Sequence, residues 1–542
     1  MVQDELLSPS RWRWRLLAAL LILGAAALHI LYLIYNCPLD LVPDEAHYWD
    51  WSRHLDWSYY SKGPLVAWLI RGSCELAGPW SQRLIGSQML AVRLPAVICG
   101  ALLLTSLYVL TVQVYGRERW AVTVVALALS LPLIAAGSSL MTIDSPYTCC
   151  WGWALVLAHR AIFRPNGCAW PLAGLVLGIG ILAKYTMILF VPAVGLFLLA
   201  TPTYRRHLLQ PGFWIMCLIG AVCCLPIVLW NMQHGWVSLR HVGGQAGVSN
   251  HGIIWLGPLT YLGTQFLMLL GFWFVAWAAA MIAHRPWKET DPGVRYLWWM
   301  SAVMFGVFAA FSLKTPEEPN WPVTAYLSGI VLGAGWVIRQ LRSPVEWYRR
   351  LSIASLSLAC LLGLLVTLVM HRSDIARPVL LRISGPPSEK HPLPMRRFDP
   401  TCRLRGWHYL ACELDRICAE LQAGGIDPVL AASSWTLPGE IGFYGEGHPA
   451  VYSLGLAVGD RWSQYDLWRP NPLWDADEFI GRTFLFVGDP SAALESAFDS
   501  LESTRAIEYQ ECGQPIARWT VVVCRGYRGF RDMESRASGK GH

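Results

Sequence analysis

The sequence predicts a polytopic α-helical membrane protein that carries a soluble α/β domain at its C-terminal end. Three observations predict it. Hydrophobic residues make up 54% of the chain and charged residues only 15%, against roughly 25% charged in an ordinary soluble protein. The apolar residues fall in long blocks between Met1 and about His371, each long enough to cross roughly 30 Å of hydrocarbon. From Arg372 onward the charge density returns to that of a soluble domain. The chain therefore divides into a membrane region, 1–371, and a soluble region, 372–542.

The candidate spans are 14–35, 94–115, 120–140, 145–163, 169–183, 185–201, 212–231, 253–283, 296–313, 322–338 and 351–371, about eleven helices. Arg11, Arg13 and Arg15 precede the first, and no small-residue cleavage site follows it, so it reads as a retained helix rather than a signal peptide. Alternate loops are basic, from Arg117 and Arg119 through Arg205 and Arg206 to the run Arg339–Arg350. The positive-inside tendency puts that side in the cytoplasm of the cell (inner) membrane. An odd helix count then leaves the N-terminus cytoplasmic and the C-terminal domain outside. The net charge of +6 comes largely from these loop arginines, and no nucleic-acid partner is expected.

The first outer loop, 36–93, is charged in both senses and strongly aromatic, with Tyr48, Trp49, Trp51, Trp57, Tyr59, Tyr60 and Trp68. Aromatic rings with one polar handle favour the membrane–water interface, so the loop is expected to lie flat on the outer surface, partly as amphipathic helices. Pro43 suits the start of a helix, and Asp44 and Glu45 suit its positive first turn. The two carboxylates would point about 100° apart and so do different jobs. Lys62, before the rigid Gly63-Pro64 turn, suits either a snorkelling lysine or a point charge for a lipid phosphate.

Other ionisable groups fall on the same face. Asp144 sits at Asp144-Ser145-Pro146, where it could cap a helix. Arg93 ends the first loop and reads equally as a partner for a loop carboxylate. Lys184 lies in a short hairpin and needs water, a carboxylate or an anionic ligand. Lys314 precedes another outer loop. His47, His234 and His241 follow no HxH or HExxH spacing, so metal binding stays open without a motif behind it. Carboxylates at 44, 45 and 144 with cations at 62, 93, 184 and 314 on one face suit transfer from a phosphate-linked donor. The competing reading is a lipid or solute transporter or flippase, which would place its charges nearer mid-membrane and often shows inverted repeats.

Several stretches resemble one family. They are Asp44-Glu45 in an aromatic loop, Tyr60-Ser61-Lys62-Gly63-Pro64-Leu65, Arg93-Leu94-Pro95, Asp144-Ser145-Pro146, Gly178 through Thr186, Trp230 through Trp236, and Pro319-Asn320-Trp321-Pro322. In order and placement they resemble glycosyltransferase family 39 of the GT-C class, the protein O-mannosyltransferase and aminoarabinose-transferase group. The resemblance implies a polyprenyl-phosphate sugar donor, an outward-facing active site under the first loop, and a lipid, glycan or protein acceptor. It implies Asp44 as catalytic base, Glu45 as support, Asp144 as a second cavity acid, and Lys62 at the donor phosphate, with Arg93 and Lys184 as further phosphate ligands. Gly63 stands where the aminoarabinose-transferase Lys-Pro-Pro turn has its first proline. Ser61 replaces an acidic residue linked to a divalent metal, which puts metal dependence in doubt. Transfer with inversion is expected, since retention needs a second carboxylate as nucleophile.

In the soluble region, Trp407–Leu421 reads as an amphipathic helix ended by Gly425, and Pro428–Ala431, Thr483–Val487 and Arg518–Cys524 as strands. This predicts an open Rossmann-like or flavodoxin-like sheet. Its cysteines, Cys402, Cys412, Cys418, Cys512 and Cys524, offer Cys402–Cys412 and Cys512–Cys524 as bridges if the region is extracytoplasmic.

Overall fold

A computed structural model describes residues 9–164, 167–245, 252–316, 318–502, 504–531 and 533. The chain opens with α1, Pro9–Tyr35, then two helices in the first loop, α2, Pro43–Arg53, and α3, Leu65–Ile85. Next come α4, Met89–Tyr115; α5, Glu118–Leu129; α6, Pro132–Gly137; α7, Asp144–Phe163; α8, Ala169–Ala183; and α9, Phe190–Ala200. Then follow α10, Pro211–Cys223; α11, Leu225–Gln233; α12, Val237–Gln245; α13, Gly257–Met268; α14, Phe272–Ala283; α15, Pro292–Phe311; α16, Ala325–Gln340; and α17, Glu346–His371.

Among the described residues five helices are individually long and apolar enough to cross a membrane, and two bent pairs bring the number to seven, against the eleven spans expected. The differences have local causes. The expected span 120–140 breaks between α5 and α6 at Pro132, whose nitrogen cannot donate to a helical ladder. The expected span 253–283 turns by 115° between α13 and α14, where Leu270 and Gly271 adopt φ of 53° and 67°. The pair α10 and α11 bends by 41° at Cys224, one residue before Leu225-Pro226. Helices α8 and α9 are apolar but short, and a 3-10 turn at Tyr185–Leu189 joins them.

The soluble domain centres on a mixed sheet. Its strands are β1, Val429–Ala432; β2, Tyr452–Ser453; β3, Phe484–Val487; β4, Phe498–Leu501; β5, Arg505–Glu511; and β6, Gln514–Tyr527. The order is β2-β1-β3-β6-β4, with β5 also on β6. The pairs β2–β1 and β1–β3 are parallel and the β6 pairings antiparallel, so the doubly wound expectation holds for half of the sheet. Helix α19, Trp407–Ala423, covers one face through Leu410, Leu414 and Ile417, as its amphipathic pattern predicted. All the cysteines are free, and the reason is placement. Cys524 is buried inside β6 opposite Phe484 while Cys512 is exposed at the β5–β6 turn. Likewise Cys402 is buried beside Met395 and Ile516 while Cys412 faces solvent on α19.

The first loop does not lie open on a surface. It is clamped between the helices and the soluble domain. The Asp40 amide donates to the Leu404 carbonyl at 2.9 Å, and the Asp40 carboxylate accepts from the Trp407 amide at 2.8 Å. The Leu41 amide donates to the Tyr444 hydroxyl at 2.7 Å. Helix α20, Leu437–Tyr444, packs so closely on α2 that a Cβ at Gly439 would sit 2.7 Å from the Ala46 carbonyl carbon.

Beneath α2 lies a buried ion pair. Arg93 on α4 donates through Nη2 to Glu45 Oε2 at 2.8 Å and through Nε to Glu45 Oε1 at 3.1 Å. Arg93 also reaches the Leu39 and Asp40 carbonyls at 3.3 and 2.7 Å, while Glu45 accepts from the Met141 amide at 2.7 Å and the Val42 amide at 3.0 Å. Side-chain exposure is 1% and 0%, so each charge depends on the other. Removing one partner of such a pair costs about 3–5 kcal/mol, while replacing both is far milder. Arg93→Met should therefore lower the melting temperature in detergent sharply, and adding Glu45→Gln should recover much of the loss. Equal melting of wild type and Arg93→Met would show that the pair does not hold the loop.

Candidate active site

Helix α2 presents its first turn in two directions. Pro43 opens the helix, and Glu45 bonds back to the Val42 amide, which turns Glu45 down to Arg93. Asp44, one residue earlier, points into a cavity of about 360 Å³. The cavity is lined from α2 by Asp44, His47 and Tyr48, from the following loop by Tyr60 and Lys62, and from the start of α7 by Asp144. Lys184, Asn320 and His241 add the wall, and Trp435, Arg461 and Gln464 of the soluble domain add the roof.

Asp44, Lys62, Asp144 and Lys184 thus meet in one place, as their shared face implied. Glu45 and Arg93 do not join them. Both are consumed by the buried pair below, so Arg93 takes the loop-carboxylate role rather than a cavity role. Asp144 is not a helix cap. Its Oδ1 accepts from Lys184 Nζ at 2.7 Å and its Oδ2 from Asn320 Nδ2 at 2.6 Å. Lys184 therefore has its carboxylate, and its ammonium also lies 5.3 Å from the Tyr147 ring centre. Asp44 is held more loosely, with the Tyr48 hydroxyl at 3.5 Å from its Oδ1.

Lys62 is placed by Gly63. A Cβ there would lie 2.2 Å from the Leu182 carbonyl oxygen, so only glycine lets the loop lie against the end of α8, two residues from Lys184. The loop is tied further by the Tyr59 amide donating to the Lys62 carbonyl at 3.1 Å, and by Ser58 Oγ, which donates to that carbonyl at 3.3 Å. Burial pushes the Lys62 ammonium down to about 8, with Lys184 nearby acting in the same direction and Asp44 against it. Burial raises the Asp44 carboxyl above its ordinary value, opposed first by Lys62 and then by Arg461. His241 is pushed down to about 4 by burial and by Lys62, and His47 to about 3 by burial, so both are neutral imidazoles at neutral pH.

Among the described residues no group of three or more His, Cys, Asp or Glu gathers as a metal cage. Three carboxylates line the cavity, Asp44, Asp144 and Glu318, and of these Asp144 already accepts from Lys184 and Asn320.

The sequence pattern alone did not mark Arg461 or Trp435, and it read Tyr48 only as one of the loop's interfacial aromatics. They reach the cavity only through the docking of the soluble domain and the turn of α2. The segment Ser463-Gln464-Tyr465 is held here by one bond: Gln464 Oε1 accepts from the Tyr60 amide at 2.7 Å, joining roof to loop.

A model of the dolichyl-phosphate-mannose-protein mannosyltransferase family matches residues 61–230, which spans Lys62, Arg93, Asp144 and Lys184. Lipid A galacturonosyltransferase RgtD of Rhizobium johnstonii is 29% identical over 359 residues, 65% of this chain and 71% of that protein. Undecaprenyl phosphate-alpha-4-amino-4-deoxy-L-arabinose arabinosyl transferase 1 of Sodalis glossinidius is 30% identical over 218 residues, 37% of each chain. The crystal structure of ArnT from Cupriavidus metallidurans bound to undecaprenyl phosphate has the same fold, with a TM-score of 0.59 at 16% identity over 95% of this chain and 98% of that one. With the fold, the matched segment and these relatives in agreement, the chain is similar to the GT-C glycosyltransferases of the mannosyltransferase and aminoarabinose-transferase group.

Proposed function

We propose that this protein transfers a sugar from a polyprenyl-phosphate donor to a hydroxyl of a lipid acceptor on the outer face of the cell membrane. The N-terminus is then cytoplasmic, and the domain after His371 is extracytoplasmic. The observation that carries the reading is the meeting of a loosely held carboxylate, Asp44, and a half-buried cation, Lys62, in one small cavity. The relatives extend it: RgtD is named for transfer to lipid A, and ArnT is known with undecaprenyl phosphate bound. A glycan or protein acceptor lacks that support, and a transporter or flippase has no counterpart among these relatives.

The chemistry follows from which groups are free. The acceptor oxygen attacks the anomeric carbon while the bond from that carbon to the phosphate oxygen breaks. Asp44 takes the hydroxyl proton, and the departing polyprenyl phosphate gains negative charge that Lys62 stabilises at short range in a poorly hydrated site. Asp144 is held by Lys184 and Asn320, which favours a positioning role over attack on the sugar. With Asp44 as base and no carboxylate assigned as nucleophile, the proposed step is a single displacement with inversion. Retention requires a second carboxylate close to the same carbon, a distance rule borrowed from glycoside hydrolysis.

The direct test uses purified protein, a radiolabelled polyprenyl-phosphate sugar and an envelope lipid extract. Wild type should release polyprenyl phosphate and label the lipid, and Asp44→Asn should lose at least about 100-fold in kcat, the usual scale for a general base. Turnover kept in Asp44→Asn would move the base elsewhere. Absence of turnover with every donor, together with solute flux in vesicles, would favour transport.

The pH profile offers a second check. A base works as the carboxylate, so the acid limb should lie above the ordinary aspartate value, because burial raises Asp44. A phosphate clamp works as the ammonium, so the alkaline limb should fall near pH 8 as Lys62 loses its proton. Lys62→Arg should move that limb upward, because guanidinium stays charged. An alkaline limb unmoved in Lys62→Arg would assign it to another group.

Gly63→Ala should displace Lys62, cut kcat/KM at least about tenfold, as small misplacements of a positioned group do, and lower the melting temperature, because its Cβ meets the Leu182 backbone. Wild-type kinetics in this variant would mean that the loop yields without moving Lys62.

A further inference from the structure

The soluble domain leaves the last span through a short helix whose two faces differ in character. Helix α18, Arg377–Ser384, starts shortly after α17 ends at His371. One face packs on the domain. Leu380 and Leu381 lie against Met395, Cys402 and Ile516, and Arg377 Nη2 pairs with Glu511 Oε2 at 2.5 Å. The other face carries Ile375, Val379 and Ile383, exposed by 53%, 59% and 58%. Their spacing of four residues sets them on one side, and Arg382 lies exposed beside them. Single exposed apolar residues are ordinary on a soluble surface, but this grouping is not. Among the described residues after His371, the exposed large hydrophobic side chains are Ile375, Val379, Ile383, Phe398, Tyr409 and Ile480. Half of them therefore fall on one side of one short segment.

Two spans fix the level at which this face sits. Helix α1 ends at Tyr35 and α17 at His371, and the two ends are tied together. The Tyr32 hydroxyl donates to the His371 carbonyl at 3.1 Å, and Arg372 Nη1 donates to Asn36 Oδ1 at 3.3 Å. Both spans are left largely uncovered by protein, with 17% and 11% of their apolar stretches buried. Ile375 follows within about one turn of that boundary, so the stripe begins at headgroup depth and continues the uncovered apolar surface of α17. Helix α3 repeats the pattern nearby. Its end and the start of the α18 segment border one cavity through Gln82, Ile85, Arg372 and Arg377, and α3 exposes Leu76, Trp80 and Leu84 at the same spacing. Aliphatic side chains on one face with an arginine at the edge suit a helix lying in the interface, the former in the acyl boundary and the latter at the lipid phosphates. We propose that α18 is a second membrane anchor, whose Ile375–Val379–Ile383 face lies in the headgroup region of the bilayer and holds the soluble domain against the membrane surface. This contact is independent of the transfer reaction.

The test uses full-length protein in nanodiscs of phosphatidylethanolamine and phosphatidylglycerol, with photo-leucine in place of Val379 or Ile383. Photo-leucine in place of Leu365, exposed on α17, gives the lipid-facing reference, and in place of Ile480 it gives an exposed apolar site elsewhere in the domain. Irradiation and mass spectrometry should find phospholipid adducts at positions 379 and 383, as at 365, and none at 480. Adducts at 365 without any at 379 and 383 overturn the proposal. Chain-to-chain cross-links at 379 and 383 in place of lipid adducts assign the stripe to a second copy of this chain and also overturn it. Amide hydrogen exchange gives an independent reading. Across 377–384 it should be faster in nanodiscs for the double variant Val379→Gln with Ile383→Gln than for wild type. The melting temperature should hold, because both side chains are exposed and glutamine is a good helix former. Exchange equal in variant and wild type overturns the proposal.

Discussion

The buried Glu45–Arg93 pair is the constraint on which the site depends. Two charges with side-chain exposure of 0% and 1% are tolerable only because each is matched and further bonded. Those bonds run to four separate places: the Leu39–Val42 entry to α2, α4, the Met141 amide before α7, and α2 itself. The pair therefore sets the angle at which α2 leaves the membrane region. Asp44 is the residue just before Glu45 on that helix, so its aim into the cavity is a consequence of where Glu45 is tied.

The soluble domain completes this arrangement from above. Asp40 and Leu41 are bonded to Leu404, Trp407 and Tyr444, and Gly439 lets α20 touch the α2 backbone. Glu440, on the same helix, is fully buried, and neither carboxylate oxygen has a partner among the described residues. Burial drives its pKa well above the ordinary range, with Asp40 and Glu45 adding to the effect and Arg93 opposing it. A neutral Glu440 adds no third negative charge beside Glu45, so the balance of the buried pair survives the docking of the domain. The roof is thus coupled to the floor through α2, and the Asp44 carboxylate lies between them.

Much of this was legible in the sequence because it rests on local chemistry. Pro43 followed by two acids encodes a helix start, and adjacent positions on a helix diverge, which separated Asp44 from Glu45 before any coordinates. Residues on one face of the membrane were expected to meet, and Lys62, Asp144 and Lys184 do. Span counting worked less well, because Pro132 and the Leu270-Gly271 turn break apolar runs that hydropathy alone reads as continuous. Pairings across long separations were not legible at all. Nothing in Cys512 and Cys524 reveals that a hairpin carries one to its tip and the other into the sheet core. Arg461 was invisible for the same reason: 417 positions separate it from Asp44, and only the docked domain brings it near.

The electrostatics of the cavity follow from the same enclosure. Removing water penalises every charge, which lowers Lys62 and raises Asp44. Under the proposed function the rise of Asp44 suits a base, which is most effective when its pKa approaches the operating pH, while the fall of Lys62 limits at alkaline pH a clamp that must stay charged. The two shifts are also mutually limited, because the carboxylate supports the ammonium and the ammonium supports the carboxylate. His47 and His241, neutral in the same surroundings, add polar walls without adding charge. What remains is a short list of ionisable groups around one cavity: Asp44 with Lys62, the closed couple of Asp144 and Lys184, Glu318, and Arg461 from the soluble domain, so the first loop and the soluble domain enclose the same small space from two sides.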